Sequence, residues 1–100
     1  MRRAWLGIAG GRRAVAPRVA AKIGYQAGIA VAEVVEGSPA EQAEIRPDDI
    51  IVAVDDHPVA DAGDLQRLMI DEAIGRPMAV RVVRRNEPIE LRAVPSEMAA

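Results

Sequence analysis

The side chains that could perform chemistry are few in this chain, and their spacing works against it. The one histidine, His57, sits in the proline-containing turn Asp55-Asp56-His57-Pro58. The two serines, Ser38 and Ser96, stand before a proline and near the C-terminus. The first suits a helix cap and the second a tail, so a Ser-His-Asp arrangement has no nucleophile. Cysteine is absent, which removes disulfides and thiolate metal sites. The acid pairs Asp48-Asp49 and Asp55-Asp56 lack the spacing and oxygen count of a calcium loop. Gly10-Gly11 is too short for a phosphate loop, and no Lys-Ser/Thr follows it. No catalytic residue, metal or cofactor is therefore expected, and binding is the function left to consider. The cluster that invites it is Ala4-Trp5-Leu6-Gly7-Ile8, which holds the only tryptophan of a chain with two aromatic residues.

Charge and composition narrow the partners. Residues 1–22 carry Arg2, Arg3, Arg12, Arg13, Arg18 and Lys22 with no acid, whereas residues 33–72 carry twelve acids against Arg46 and Arg67. Such a dipolar chain has either two solvated faces or a basic end that steers a charged partner. Nucleic acid is not expected, because the cations are few, the pI is about 5.4 and aromatics for base stacking are missing. No apolar run approaches the roughly 18 residues of a membrane span, and no signal-peptide core is present, so neither direct membrane insertion nor a targeting signal is expected.

One hundred residues make about one domain. The residues predict a strand over 5–9 entering a flexible loop at Gly10-Gly11, a short helix over 16–24 with Pro17 in its first turn, and a β-branched strand over 28–36. Ser38, Pro39 and Glu41 read as N-cap, first helical residue and capping-box partner of a short helix over 39–43. A buried strand is expected over 50–54, the main helix over 64–74, and an antiparallel hairpin of strands 78–84 and 88–94. This order makes an α+β domain, a small five-to-six-stranded, partly open antiparallel sheet capped by one long and one or two short helices. The domain is expected to span 1–95, with 96–100 a frayed tail.

From Trp5 to about Pro95 the chain resembles a PDZ domain of the permuted bacterial kind carried by trypsin-like serine proteases of the HtrA (Deg) family. The residues that carry the resemblance are Trp5-Leu6-Gly7-Ile8, Gly28-Ile29-Ala30-Val31, the block from Val34 to Ala40, the run from Ile45 to Asp55, and Asp64-Leu65. It departs from the family pattern at Glu44, Asp48 and Asp56, where glycine is usual. A positive φ at Glu44 would cost on the order of 1 kcal/mol, so that turn is expected to shift or become helical.

The resemblance implies a peptide-binding module. An extended peptide would add a strand to an open sheet edge beside a helix, with its terminal carboxylate held by converging backbone N–H groups of the Leu-Gly-Ile loop. Trp5, Leu6, Gly7, Ile8 and Ala9 would form that end of the groove, with Leu6 and Ile8 lining the pocket for the last apolar side chain. Trp5 either shields the loop or packs as an edge residue. On the helix, Leu65, Met69 and Ala73 share one stripe and read as core, and Leu68, about 60° away, is assigned to the pocket. Asp64 and Asp71 flank Leu68 as an acidic lip or as solvated helix surface. Affinity should be micromolar, about -8 kcal/mol. The expected partners are hydrophobic C-termini of other proteins and the protease domain of a parent chain in the cell envelope, and the parent could be a homo-oligomer. Two alternatives stay open: a PDZ domain of another protease or secretion component, and a structural domain whose groove is filled by a neighbour.

Overall fold

The computed structural model describes residues 2–98. The strands are β1 (Ala4–Trp5), β2 (Ile8–Ala14), β3 (Ala27–Val34), β4 (Ile50–Val54), β5 (His57–Pro58), β6 (Met78–Arg84), β7 (Glu87–Ala93) and β8 (Ser96–Glu97). The helices are α1 (Pro17–Ile23), α2 (Pro39–Gln42) and α3 (Ala62–Leu68). The sheet runs β2-β3-β4-β6-β7, all neighbours antiparallel, with β5 paired to β4. This is the expected α+β architecture, open at both edges rather than closed into a barrel, although α3 is no longer than α1.

Both faces of the sheet are covered. Ile29, Val31, Ile51, Val54, Val80 and Val82 turn one way and meet Leu65 of α3, Met69 at its C-cap and Ala40 of α2. Val52 and Val83 turn the other way and meet Val15 and Val19, which seats α1 on the opposite face. With no phenylalanine available, β-branched side chains fill most of this core, as a pleated surface favours.

The local signals that close within a few residues are realised. Ser38 Oγ accepts from Glu41 N at 3.2 Å while Glu41 Oε1 accepts from Gly37 N at 2.9 Å, a reciprocal cap over α2. Helix α1 stops at Gly24, φ 83°, whose N–H reaches Ala20 O. The β6–β7 hairpin turns on Arg85 and Asn86, with φ of 52° and 66°, the two-residue turn that matches strand twist.

Four expectations are corrected. Gly10-Gly11 is no loop but the interior of β2, paired with Val31 and Ala30. A side chain at Gly10 would stand 2.1 Å from Ala30 O, so this glycine marks close approach between strands. The helix predicted over 64–74 begins at Ala62 behind the N-cap Asp61 and ends at Leu68; only Asp71–Ala73 coils again, as a 3-10 turn. Residues 96–98 do not fray: Ala4 pairs with Glu97, Trp5 with Ser96, and Met98 N donates to Arg3 O. Residues 99 and 100 lie outside the described residues.

The fourth correction is Glu44, whose turn neither shifts nor becomes helical: its φ is 68°. The turn is held from outside, by Ile45 N donating to Ala40 O and by Arg84 Nη2 donating to Glu44 O. Asp48 and Asp56 also keep the left-handed conformation, at 77° and 66°. Glu44→Gly should therefore raise stability by about 0.5–1 kcal/mol, read as a higher urea midpoint at unchanged slope. An equal or lower midpoint would show that the left-handed Glu44 carries no strain.

Candidate functional site

Between edge strand β2 and helix α3 lies a cleft of about 500 Å³, closed at one end by the segment that joins β1 to β2. Trp5, Leu6, Gly7, Ile8 and Gly10 line one side and Ala62, Leu65, Gln66 and Met69 the other. The helix residues recur at i, i+3, i+4 and i+7 and so form one wall. The C-terminal end of α3 is tied to the closed end of the cleft, where Ala4 N donates to Met69 O and Arg3 Nη2 to Gln66 O.

The loop at the closed end turns its carbonyls away from the cleft. Leu6 O accepts from Ala40 N and Gly7 O from Val35 N, both at 2.8 Å. The N–H groups of Leu6 and Gly7 find no acceptor among the described residues. The Gly7–Val35 bond makes Ile8 and Val34 a non-hydrogen-bonded pair, so Ile8 N–H and C=O face the open edge. Two orphan donors and a third on the edge thus gather beside an apolar pocket, the electrostatic form of a backbone anion site.

Glycine at position 7 is needed for packing as much as for access. Its φ is 90°, and a Cβ there would stand 2.2 Å from Ser38 Cβ and 3.3 Å from Trp5 Cζ2. The loop is wedged between the cap of α2 and the indole, which places Trp5 both over the loop and, through Ser96, in a paired strand.

The structure brings Trp5, Leu6, Gly7 and Ile8 together at the cleft and leaves four other expected residues outside its lining. Ala9 points to the opposite face, paired with Glu33. Leu68 is half-buried against the core, while Leu65 and Met69, read from sequence as core alone, are core and cleft wall at once. On a helix this short, a single apolar stripe serves both. Asp64 is a capping residue rather than a lip: its carboxylate accepts from Ala60 N at 2.9 Å and pairs with Arg67, while its own N–H donates to Asp61 Oδ1. The Ala60 hydrogen bond, aided by Arg67 and opposed by partial desolvation, holds the Asp64 carboxyl below its ordinary pKa. Asp71 lies beyond the helix, 3.9 Å from Arg2 Nη1. Gly10, Ala62 and Gln66 were missed; the period-2 and 3.6-residue patterns identify them only once β2 is known to continue through the glycines and α3 to start at Ala62.

Comparison with known proteins agrees with this geometry. The PDZ domain family matches residues 11–93. The chain is 38% identical over 64 residues to the candidate serine protease HhoA of Synechocystis sp., and 35% identical over 71 residues to the candidate protease Do-like 14 of Arabidopsis thaliana. These matches cover 64% and 70% of the chain but only 16% and 15% of the two relatives. The HtrA-type protease AlgW solved with a decapeptide superposes over 99% of the chain and 30% of its own, with TM-score 0.77 and 26% identity. The HtrA3 PDZ domain bound to the phage-derived ligand FGRWV superposes over 98% of the chain and 89% of its own, with TM-score 0.72 and 28% identity. The described residues form this domain, and no protease domain is among them. With its sheet, its cleft and its sequence in agreement, the chain belongs to the PDZ domain family and is similar to the PDZ domains of HtrA-type proteases.

Proposed function

We propose that the cleft captures the hydrophobic C-terminal end of an extended peptide. The observation that carries this reading is the pair of unpartnered N–H groups at Leu6 and Gly7, set at the closed end of an apolar cleft beside an open strand edge. A peptide carboxylate would accept from them and from Ile8 N–H, its backbone would extend the sheet beyond β2, and its last side chain would rest on Leu6, Ile8, Leu65 and Met69. The peptides named with the solved relatives support the assignment of the cleft. In the longer proteins to which the chain is related, such a domain would recruit substrates to an HtrA-like serine protease of the cell envelope or regulate it.

The test is an NMR titration with peptides ending in Val, Leu, Ile or Ala, each with a free or an amidated C-terminus. Free peptides are expected to bind at least about tenfold more tightly, since charge-assisted hydrogen bonds are lost on amidation. Amide shifts should be largest at Leu6, Gly7 and Ile8, with side-chain shifts at Leu65 and Met69. Equal binding of both sets would rule out carboxylate capture and indicate recognition of internal segments.

A further inference from the structure

We infer that Arg12 is a specificity-determining residue that selects an acidic side chain at the fifth residue from the peptide's C-terminus. This rests on the proposed reading of the cleft and names the class of peptide it takes.

The argument is one of register. At the far end of β2, Val15 N donates to Gln26 O, which makes Ala14 and Ala27 a non-hydrogen-bonded pair. Counting back by twos, Arg12, Gly10 and Ile8 all turn their N–H and C=O to the open edge, in step with the Gly7–Val35 bond at the near end. The register irregularity between Ala9 and Gly10 places the extra residue on β3, where Val31 and Glu33 follow one another as partners, so the alternation along β2 is unbroken. These same residues share the cleft face, since Gly10 and Arg12 oppose the buried Val31 and Ile29. A peptide whose carboxylate lies at Leu6 and Gly7 must run antiparallel to β2. Its last residue then opposes Ile8, its third from the end Gly10 and its fifth Arg12, about 14 Å along the strand. Directly opposed residues of an antiparallel pair put their side chains on one face within contact distance.

Charge settles what the fifth residue should be. Arg12 and Arg13 are exposed and, like several other arginines, have no acid partner among the described residues; what sets Arg12 apart is its place on the cleft face of the open edge. The acids at the same end of the facing helix are engaged: Asp61 caps Asp64 N, and Asp64 holds Ala60 N and Arg67. Arg13 projects from the opposite face of β2, opposite Gly28, and serves as the control.

Fluorescent peptides ending in valine with a free carboxylate, differing only in Glu, Ala or Lys at the fifth residue from the end, supply the test. Wild type should bind the Glu peptide about three- to fivefold more tightly than the Ala peptide and the Lys peptide more weakly, with the spread narrowing in high salt. Arg12→Glu should reverse the order of Glu and Lys, and Arg13→Glu should leave it intact. An order unchanged in Arg12→Glu, or reversed by Arg13→Glu, overturns the assignment, while amide shifts at Leu6 and Gly7 would show that the carboxylate reading survives. Absence of binding by every peptide sinks both.

Discussion

Gly7→Ala is expected to cost about 2–4 kcal/mol of stability and to abolish measurable peptide binding. Two independent penalties act on the same methyl. A left-handed conformation costs a residue with a Cβ about 1–2 kcal/mol, and φ at Gly7 is 90°. The methyl would also stand 2.7 Å from Ser38 Oγ, the atom that caps α2, and overpacking of this kind costs about 1–3 kcal/mol. Relief requires the loop to move, which would redirect the N–H groups of Leu6, Gly7 and Ile8 together. Urea unfolding and the valine-peptide titration read the two losses separately. Gly11→Ala is the contrast: nothing lies within 4 Å of its added carbon, and a change within about 0.5 kcal/mol is expected. A Gly7→Ala midpoint equal to that of wild type would show that the loop relaxes freely.

Arg84→Met should destabilise the domain by about 3 kcal/mol, because it strands a buried carboxylate. Asp49 is 1% exposed, and its oxygens accept from Arg84 Nε at 2.8 Å, Arg84 Nη2 at 2.7 Å and Arg46 N at 2.9 Å. The hydrogen bond to Asp49, opposed by desolvation, raises the Arg84 guanidinium pKa. A raised pKa contributes stability that is present below the ordinary arginine value and is lost only as pH rises through the raised one, so the pair stays intact across neutral pH. The ion pair clips the turn over residues 44–49 onto the end of β6, while Asp48 N donating to Val31 O and Val31 N donating to Asp49 O hold it to β3. Chemical denaturation of Arg84→Met, Asp49→Leu and the double variant checks the prediction. The double variant should be more stable than Arg84→Met alone, since it removes the unpaired charge. A loss below about 1 kcal/mol for Arg84→Met would mean that water replaces the guanidinium.

What could be read from the residues divides along a physical line. Signals that close within a few residues were legible: the Ser38–Glu41 cap, the Gly24 stop, the strand at Ile50–Val54 and the hairpin after Arg84, whose turn is Arg85-Asn86 alone where Arg85-Asn86-Glu87 was expected. The loop with Gly7 was legible too, through its place in the order of the PDZ pattern. What depends on partners distant in the chain was not. Gly10-Gly11 looks the same in a flexible loop and in a strand pressed against Ala30 O. Glu44 keeps its left-handed turn because Arg84, forty residues on, holds its carbonyl. Leu68 and Leu65 differ by about 60° around α3, and only the approach of β2 decides which one meets the cleft.

The unpaired edge of β2 carries a hazard as well as a use. Strands that can receive one extended chain can receive any other, including the same strand of a second copy, and an uncovered edge is where soluble sheets begin to aggregate. Two copies zipped along β2 would lie about 4.8 Å apart and bring Arg12 and Arg13 of each against the cations of the other. That like-charge contact is unfavourable for self-pairing and absent for an acidic visitor. At this edge the arginines are gatekeepers that count against self-pairing.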